Sequence, residues 1–333
     1  MRAAILDAYD KNGRELAVRD APIPDPGPGE ALVRVATAGV NPLDNMIVRG
    51  EVRLIVPYRT PLVMGNELVG TVERLGAGTR GLSVGDRVFG RMPLAKIGAF
   101  AEYAAVSASA LAKVPDYLSD EEAACVPLTA LTALQSFELM GLHPGETVFI
   151  SGGTGSLGAM AIPVAKGLGL TVITNGNGAS EERVRALGAD RFIDYKKESY
   201  AEVLADVDGV LDTLGEQELP AQFSILKRGG TLVSLRGLPN GDFARRSGMS
   251  LVKRAMFGLA GRKFDKMAER RGQTYRFVFV HEDGAGLERV VGLFGERRIE
   301  ASVDGVFDLA DVNAAMAKVA AGGSKGKTVL RIA

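Results

Sequence analysis

Three glycines set the first chemical expectation. Gly153, Gly155 and Gly158 lie in TVFISGGTGSLG (147–158), a G-x-G-x-x-G spacing between a short apolar run and a helical pattern. In such a turn the first glycine permits the tight bend. The second lets the backbone approach a pyrophosphate, and the third lets the helix pack closely on the strand. The start of the helix then turns free N–H groups and the positive end of its dipole toward the phosphates. Thr154, Ser156 and Leu157 share that turn and are read with it as dinucleotide contacts. The next apolar run, TVITN, ends at Asn175. An NAD site usually places an acid near this point, about 20 residues past the glycines, to bind the ribose 2′-hydroxyl. Here the sequence continues NGNGASEER, and the first candidate groups are Asn177, Ser180 and Arg183. Hydrogen-bond donors and a guanidinium suit a 2′-phosphate, so the expected cofactor is NADPH.

The rest of the chain narrows the chemistry mostly by exclusion. Cys125 is the single cysteine, which rules out an intrachain disulfide and a cysteine-rich metal cluster. Its neighbours (AACVPL) point to a buried small hydrophobe. The only histidines are His143 and His281. Lys and Arg number 40, as do Asp and Glu, so net charge is zero. No sequence-wide attraction to nucleic acid or to an anionic membrane follows, although a basic patch could exist locally. With no signal-peptide pattern at the start and no long uncharged apolar run, the expected location is the cytoplasm.

A length of 333 residues predicts two domains. Up to about residue 118 the chain is strand-rich and punctuated by Pro and Gly, as in ALVRVATAG (31–39), LVGTVERLG (68–76) and PIPDPGPGE (22–30). Ser119 followed by Asp120, Glu121 and Glu122 marks a capped helix start. From there strands and helices alternate through GTLVSLRG (230–237), which predicts a doubly wound parallel sheet with helices on both faces. Residues 240–272 are polar and basic with a weak periodic signal. A terminal strand, KTVLRIA, is more easily placed back with the N-terminal region than in the parallel sheet.

These segments, in this order, resemble the medium-chain dehydrogenase/reductase family, in its zinc-free quinone oxidoreductase branch. The resemblance runs end to end through AGVNPLDNMIVRG (38–50), MGNELVGTVERLG (64–76), VGDRVFG (84–90), GAFAEYAAV (98–106), PLTALTALQ (127–135), GSLG through LGAD (155–190), LKRGGTLVSLRG (226–237) and GKTVLRI (326–332). It implies a GroES-like β-rich catalytic domain, residues 1–118 with 270–333, and a Rossmann cofactor domain, residues 119–269. The implied reaction is NADPH-dependent hydride transfer to a quinone or an α,β-unsaturated carbonyl. An enoyl-thioester (enoyl-CoA) reductase and a non-catalytic NADPH-binding sensor are the alternatives. A homodimer through an edge strand near LVSLRG is also implied.

The resemblance further assigns residues. Zinc-dependent relatives carry cysteine where Asn41 stands and histidine where Asn66 stands, so no metal is expected. Asn41 is the implied hydrogen-bond donor to the substrate oxygen. Thr129 resembles a nicotinamide contact, Tyr195 a contact near the adenosine 2′-phosphate, and Leu235 and Arg236 end a strand that passes the carboxamide. Tyrosines that relatives place near Met46 or Val52 are missing here, and Tyr58 is the candidate replacement.

Overall fold

The computed structural model describes residues 1–295 and 297–332. In chain order the first elements are β1 (Arg2–Leu6), β2 (Ala17–Asp20), β3 (Glu30–Val40), α1 (Pro42–Val48), β4 (Leu62–Val63), β5 (Glu67–Leu75), β6 (Arg87–Arg91), β7 (Tyr103–Ser107) and β8 (Leu111–Lys113). Next come α2 (Asp120–Ala123), α3 (Pro127–Met140), β9 (Thr147–Ile150), α4 (Ser156–Gly167), β10 (Thr171–Gly176), α5 (Glu181–Ala186), β11 (Arg191–Asp194), α6 (Tyr200–Val203), β12 (Val207–Asp212), α7 (Leu219–Ile225) and β13 (Leu226–Ser234). The chain closes with α8 (Gly241–Arg246), α9 (Leu251–Glu269), β14 (Thr274–Phe277), α10 (Gly284–Phe294), β15 (Val303–Asp308), α11 (Val312–Ala321) and β16 (Lys327–Arg331).

Two compact units result: Met1–Leu131 with His281–Ala333, and Thr132–Val280. The first is the GroES-like unit. Its larger sheet runs β15-β16-β3-β5-β6-β8, with β7 also paired to β3. Strand β3 points Arg34 outward between buried Val33 and Val35, as a sheet with one face on the core requires. The terminal strand β16 pairs antiparallel with β3, Thr328 opposite Val40 and Arg331 opposite Thr37.

The second unit is a Rossmann-type sheet of six parallel strands in the order β11-β10-β9-β12-β13-β14. The chain winds outward from β9 in both directions, so the sheet reverses order between β9 and β12. That reversal opens a crevice at the carboxyl ends of the strands, where doubly wound sheets bind ligands. Strands β9 and β12 lie in the middle of the sheet, with Phe149, Ile150, Val210 and Leu211 fully buried.

The unit boundaries differ from 118/119 and 269/270. Helix α3 carries the first junction past residue 118, and β14 explains the second: it adds to β13 in register, Leu232 opposite Tyr275, and so belongs to the Rossmann sheet. For the same reason LVSLRG does not form an edge. Strand β13 is covered by β12 on one side and β14 on the other, and the edge on this side of the sheet is TYRF. Residues 240–272, weakly patterned in sequence, form the helical pair α8 and α9.

The run Asp120–Met140 is long and apolar enough to cross a membrane by length and composition, but 83% of its apolar 18-residue window is buried in the fold. Leu134, inside α3, has no exposed surface. Replacing it with alanine removes a fully packed side chain, so Leu134→Ala is expected to lower unfolding stability by about 2–5 kcal/mol in urea melts.

Candidate active site

The dinucleotide turn is built by packing around its glycines. Gly152 adopts a φ of +68° at the end of β9. A Cβ on Gly153 would stand 2.1 Å from Thr174 Oγ1, and one on Gly158 2.4 Å from the Cα of Gly153. Neither position accepts a side chain. Gly155 is different: the nearest atom to a Cβ there is the Gly152 oxygen at 3.5 Å. The protein itself leaves that space open, which fits a backbone approached by a phosphate. Gly155 is also the N-cap of α4, and no side chain caps the helix. The first-turn N–H groups of Ser156, Leu157 and Gly158 therefore lack intrahelical partners, as an anion site requires.

Residues on β10 shape this turn and were not marked in the sequence. Gly152 N–H donates to Asn175 Oδ1 at 2.8 Å, and Gly153 N–H to Thr174 Oγ1 at 3.0 Å. Arg183 Nη2 donates to the Thr154 carbonyl at 2.6 Å, which ties α5 across the turn. Asn177 Oδ1 accepts from Ala179 N–H at 3.2 Å, and Ser180 N–H donates to the Asn177 carbonyl. Tyr195 is mostly exposed and reaches the same strand end through its N–H, which donates to the Gly176 carbonyl. Asn177, Ser180, Arg183 and Tyr195 thus gather around the end of β10. The sequence did not suggest Asp194, whose carboxylate would meet a Cβ on Gly178 at 2.4 Å and which lies 3.7 Å from Lys197 Nζ.

Asp212, at the end of β12, organises the loops on this side of the sheet. Its Oδ1 accepts from the N–H groups of Leu214 and Gly215 at 3.0 Å each and from Gln222 Nε2 at 2.9 Å. Its Oδ2 accepts from Ser234 Oγ at 2.5 Å. Ser234 Oγ in turn accepts from Gly237 N–H at 2.7 Å. The segment carrying Leu235 and Arg236 is therefore held to β12 by one buried carboxylate.

In the first unit a second polar group is wholly interior. Lys327 Nζ donates to Asn41 Oδ1 and pairs with Glu67 Oε1, both at 2.5 Å. Asn41 Nδ2 donates to Glu67 Oε1 at 2.8 Å and to the Gly39 carbonyl at 3.2 Å. Glu67 Oε2 accepts from Leu128 N–H at 2.8 Å. Asp44 accepts from Asn41 N–H at 2.8 Å and from Asn66 Nδ2 at 2.7 Å. Burial pushes the Asp44 carboxyl up to about 7. The bonds from Asn41 and Asn66 and the Lys327 charge oppose the rise, while Glu67 adds to it.

Asn41 thus spends both amide hydrogens inside the protein and holds the Lys327–Glu67 pair in place. Thr129 Oγ1 donates back to the Cys125 carbonyl at 2.7 Å, with Val126 O at 3.1 Å, leaving only lone pairs for any further contact. Tyr58 is half-buried, and desolvation lifts its hydroxyl to about 12 against the pull of the Arg91 charge. Arg91 is fully buried, and its Nε and Nη2 have no acceptor among the described residues. Burial lowers its pKa, and Tyr58 is the charge partner that most opposes the fall. Cys125 is buried and pushed up to about 12, an inert thiol.

Residues 27–116 match the family model described as alcohol dehydrogenase GroES-like domain, and residues 187–330 the one described as zinc-binding dehydrogenase. An acryloyl-coenzyme A reductase from Metallosphaera sedula is 30% identical over 76% of this chain and 82% of its own length. The chain belongs to the medium-chain dehydrogenase/reductase family. Within it the likeness is to quinone oxidoreductases. A Thermus thermophilus quinone oxidoreductase, also solved in complex with NADPH, superposes with a TM-score of 0.74 at 26% identity, covering 100% of this chain and 98% of that one. A mitochondrial NAD(P)H oxidoreductase from Danio rerio is 29% identical over 100% of this chain and 91% of its own length.

Part of the family binds zinc, so the donor set can be tested for it. Asn41 and Asn66 stand at the expected ligand positions. Of the two carboxylates beside them, Glu67 already holds the Lys327 ammonium and Asp44 is bonded by Asn41 N–H and Asn66 Nδ2. Amide side chains beside a fixed cation do not fit a zinc ligand set. A nicotinamide dinucleotide does fit the turn of the second unit, because the space at Gly155 and the uncapped α4 are what a pyrophosphate needs.

Two outcomes follow for the buried group. Asp44 titrates near 7 folded and near 3.8 unfolded, so the folded state holds its proton more tightly. Its contribution favours folding below about pH 4 and is lost as pH rises to about 7, by up to about 4 kcal/mol. Asp44→Asn should flatten that slope, seen as a smaller difference between urea midpoints at pH 5 and pH 8. Lys327→Met removes the cation paired with buried Glu67 and is expected to cost about 3–5 kcal/mol in the same melts. Adding Glu67→Gln should recover part of it.

Proposed function

We propose that this protein is a zinc-independent, NADPH-dependent oxidoreductase that reduces quinones or the carbon–carbon double bond of α,β-unsaturated carbonyl compounds. One observation carries the cofactor assignment: the open, uncapped start of α4 behind Gly155, with Arg183 tied across the turn at Thr154. The names of the relatives support the substrate class, since a quinone and an acryloyl thioester both present an electron-poor double bond conjugated to a carbonyl.

When bound, the nicotinamide supplies the hydride. The chain's own residues supply the rest. The α4 N–H groups would hold the pyrophosphate, and Asn177, Ser180 and Arg183 would supply donors for the 2′-phosphate. The loop pinned by Asp212 sets Leu235 and Arg236 at the carboxyl edge of the sheet. In the first unit Lys327, Glu67 and Asn41 form a hydrogen-bonded group of zero net charge in place of a metal centre, so Asn41 acts as a positioning residue. Tyr58 Oη is the proton donor to the reduced substrate. The Arg91 charge lowers the cost of the phenolate that this leaves. The free edge of β14 supports a homodimer formed by strand pairing.

NADH is the competing cofactor, and Asp194 beside Gly178 is the residue that favours it. Steady-state oxidation of both nicotinamides decides. Arg183→Ala is expected to raise KM for NADPH about 10- to 100-fold, the worth of a charge-assisted hydrogen bond, and to leave KM for NADH nearly unchanged. An equal effect on both cofactors would transfer the ribose contact to Asp194. Tyr58→Phe should lower kcat toward quinones and enals about 100-fold with little change in KM. Unchanged kcat would mean that the proton comes from solvent. The same panel should include an enoyl thioester, because a preference for it over free enals would select the thioester reductase.

A further inference from the structure

We propose that the hairpin of α8 and α9 is a docking element for an anionic lipid bilayer. Charge and exposure on this segment carry the inference. It does not depend on the hydride-transfer chemistry.

The chain is neutral overall, but residues 240–272 hold nine basic and three acidic side chains, a local surplus of six positive charges. The acids are largely spoken for. Asp242 pairs with Arg245, Arg246 and Arg276, and Asp265 accepts from Asn240 Nδ2 at 2.7 Å. Arg262, Lys266, Arg270 and Arg271 are exposed.

Helix α9 turns Phe257, Gly261, Phe264 and Ala268 inward, a spacing that marks one face. The opposite face should be polar. Its first turns instead carry Val252, Met256 and Leu259 at i, i+4 and i+7, with Leu251 beside them. Leu251 is 78% exposed, Val252 77% and Leu259 72%. Further along the same face come Lys263, Lys266 and Arg270. Arg245 and Arg246 end α8 just before the apolar tip, and Lys253 and Arg254 follow it. Aliphatic side chains ringed by cations are the composition of a helix that lies in a lipid interface.

The hairpin is built to hold that tip rigidly. Asn240 Oδ1 caps α8 at Phe243 N–H at 2.9 Å. Phe243 packs edge-on against Phe257 and Phe277, with centroids 6.1 and 5.1 Å apart. A Cβ on Gly241 would lie 3.3 Å from Gly258 Cα, so the two helices approach backbone to backbone.

Other occupants fit less well. A second copy of the same face would bring like charges together. A nucleic acid would answer the cations but leave the aliphatic side chains in water. An anionic bilayer answers both, with headgroups for the Arg and Lys and hydrocarbon for Leu251, Val252 and Leu259.

Vesicle co-sedimentation of the full-length protein tests the proposal, comparing phosphatidylcholine alone with phosphatidylcholine containing phosphatidylglycerol. Binding is expected only to the anionic vesicles, weakening as salt is added. Lys266→Gln and Arg270→Gln should each lower the partition about fivefold. Combined Leu251→Ser, Val252→Ser and Leu259→Ser should abolish binding while thermal unfolding and solution size stay the same, since these side chains project into solvent. The chain contains no tryptophan, so Val252→Trp gives a reporter free of background. Its emission should shift to the blue on anionic vesicles alone. The proposal is overturned by absent sedimentation at low salt, by unchanged binding of the triple serine variant, or by an unshifted tryptophan. A dimer that the serine changes dissociate would assign the face to a second copy. Duplex DNA binding as tight as vesicle binding and insensitive to those changes would assign it to nucleic acid.

Discussion

A single ammonium group, shut away from water, holds the first unit together. Lys327 begins the last strand, and its partners Asn41 and Glu67 stand on segments far earlier in the chain. Taking a lysine and a glutamate out of water is costly unless each remaining donor and acceptor finds a partner. Here the partners are present: Asn41 bridges the pair, and the N–H of Leu128 takes the second oxygen of Glu67. The arrangement requires β16 to lie beside β3 in the observed register. The polar interior and the strand pairing are therefore one constraint expressed twice.

The same group explains how a family that includes zinc-binding enzymes can tolerate two asparagines at ligand positions. A metal ion would supply positive charge to neighbouring carboxylates. Here the Lys327 ammonium supplies one charge beside Glu67 and needs no thiolate or imidazole donor. Asp44 and Arg91 lie near this group, and both are shifted first of all by burial. In the second unit Asp212 does comparable work by hydrogen bonding. One carboxylate gathers four donors and so fixes two loops at the carboxyl ends of β12 and β13.

Much of this was legible before any coordinates. The G-x-G-x-x-G turn between an apolar strand and a helix is a local pattern, because the steric demand for glycine acts between close neighbours. The alternation of strands and helices after Ser119 was likewise readable. The basic run 240–272 was not, since Val252, Met256 and Leu259 place apolar residues on the outer face of α9 and blur the helical period. Asn41 shows another limit. Its position was apparent from the motif, but the use of its amide by Glu67 and Gly39 depends on residues that only folding brings near. Arg91 and Lys327 gave no signal, because a lone charged residue in a strand pattern reads as solvated until its burial is known.

The amino-acid sequence by itself determined the family, the class of fold and the position of a glycine turn whose bare backbone suits a dinucleotide phosphate. These rest on short-range spacing and on which side chains are absent. Only the tertiary structure decided which polar groups are already satisfied, which strand lies at the sheet edge beyond β13, and which aliphatic side chains face water. Those depend on distances between segments remote along the chain, and residue spacing along the chain does not encode such distances directly.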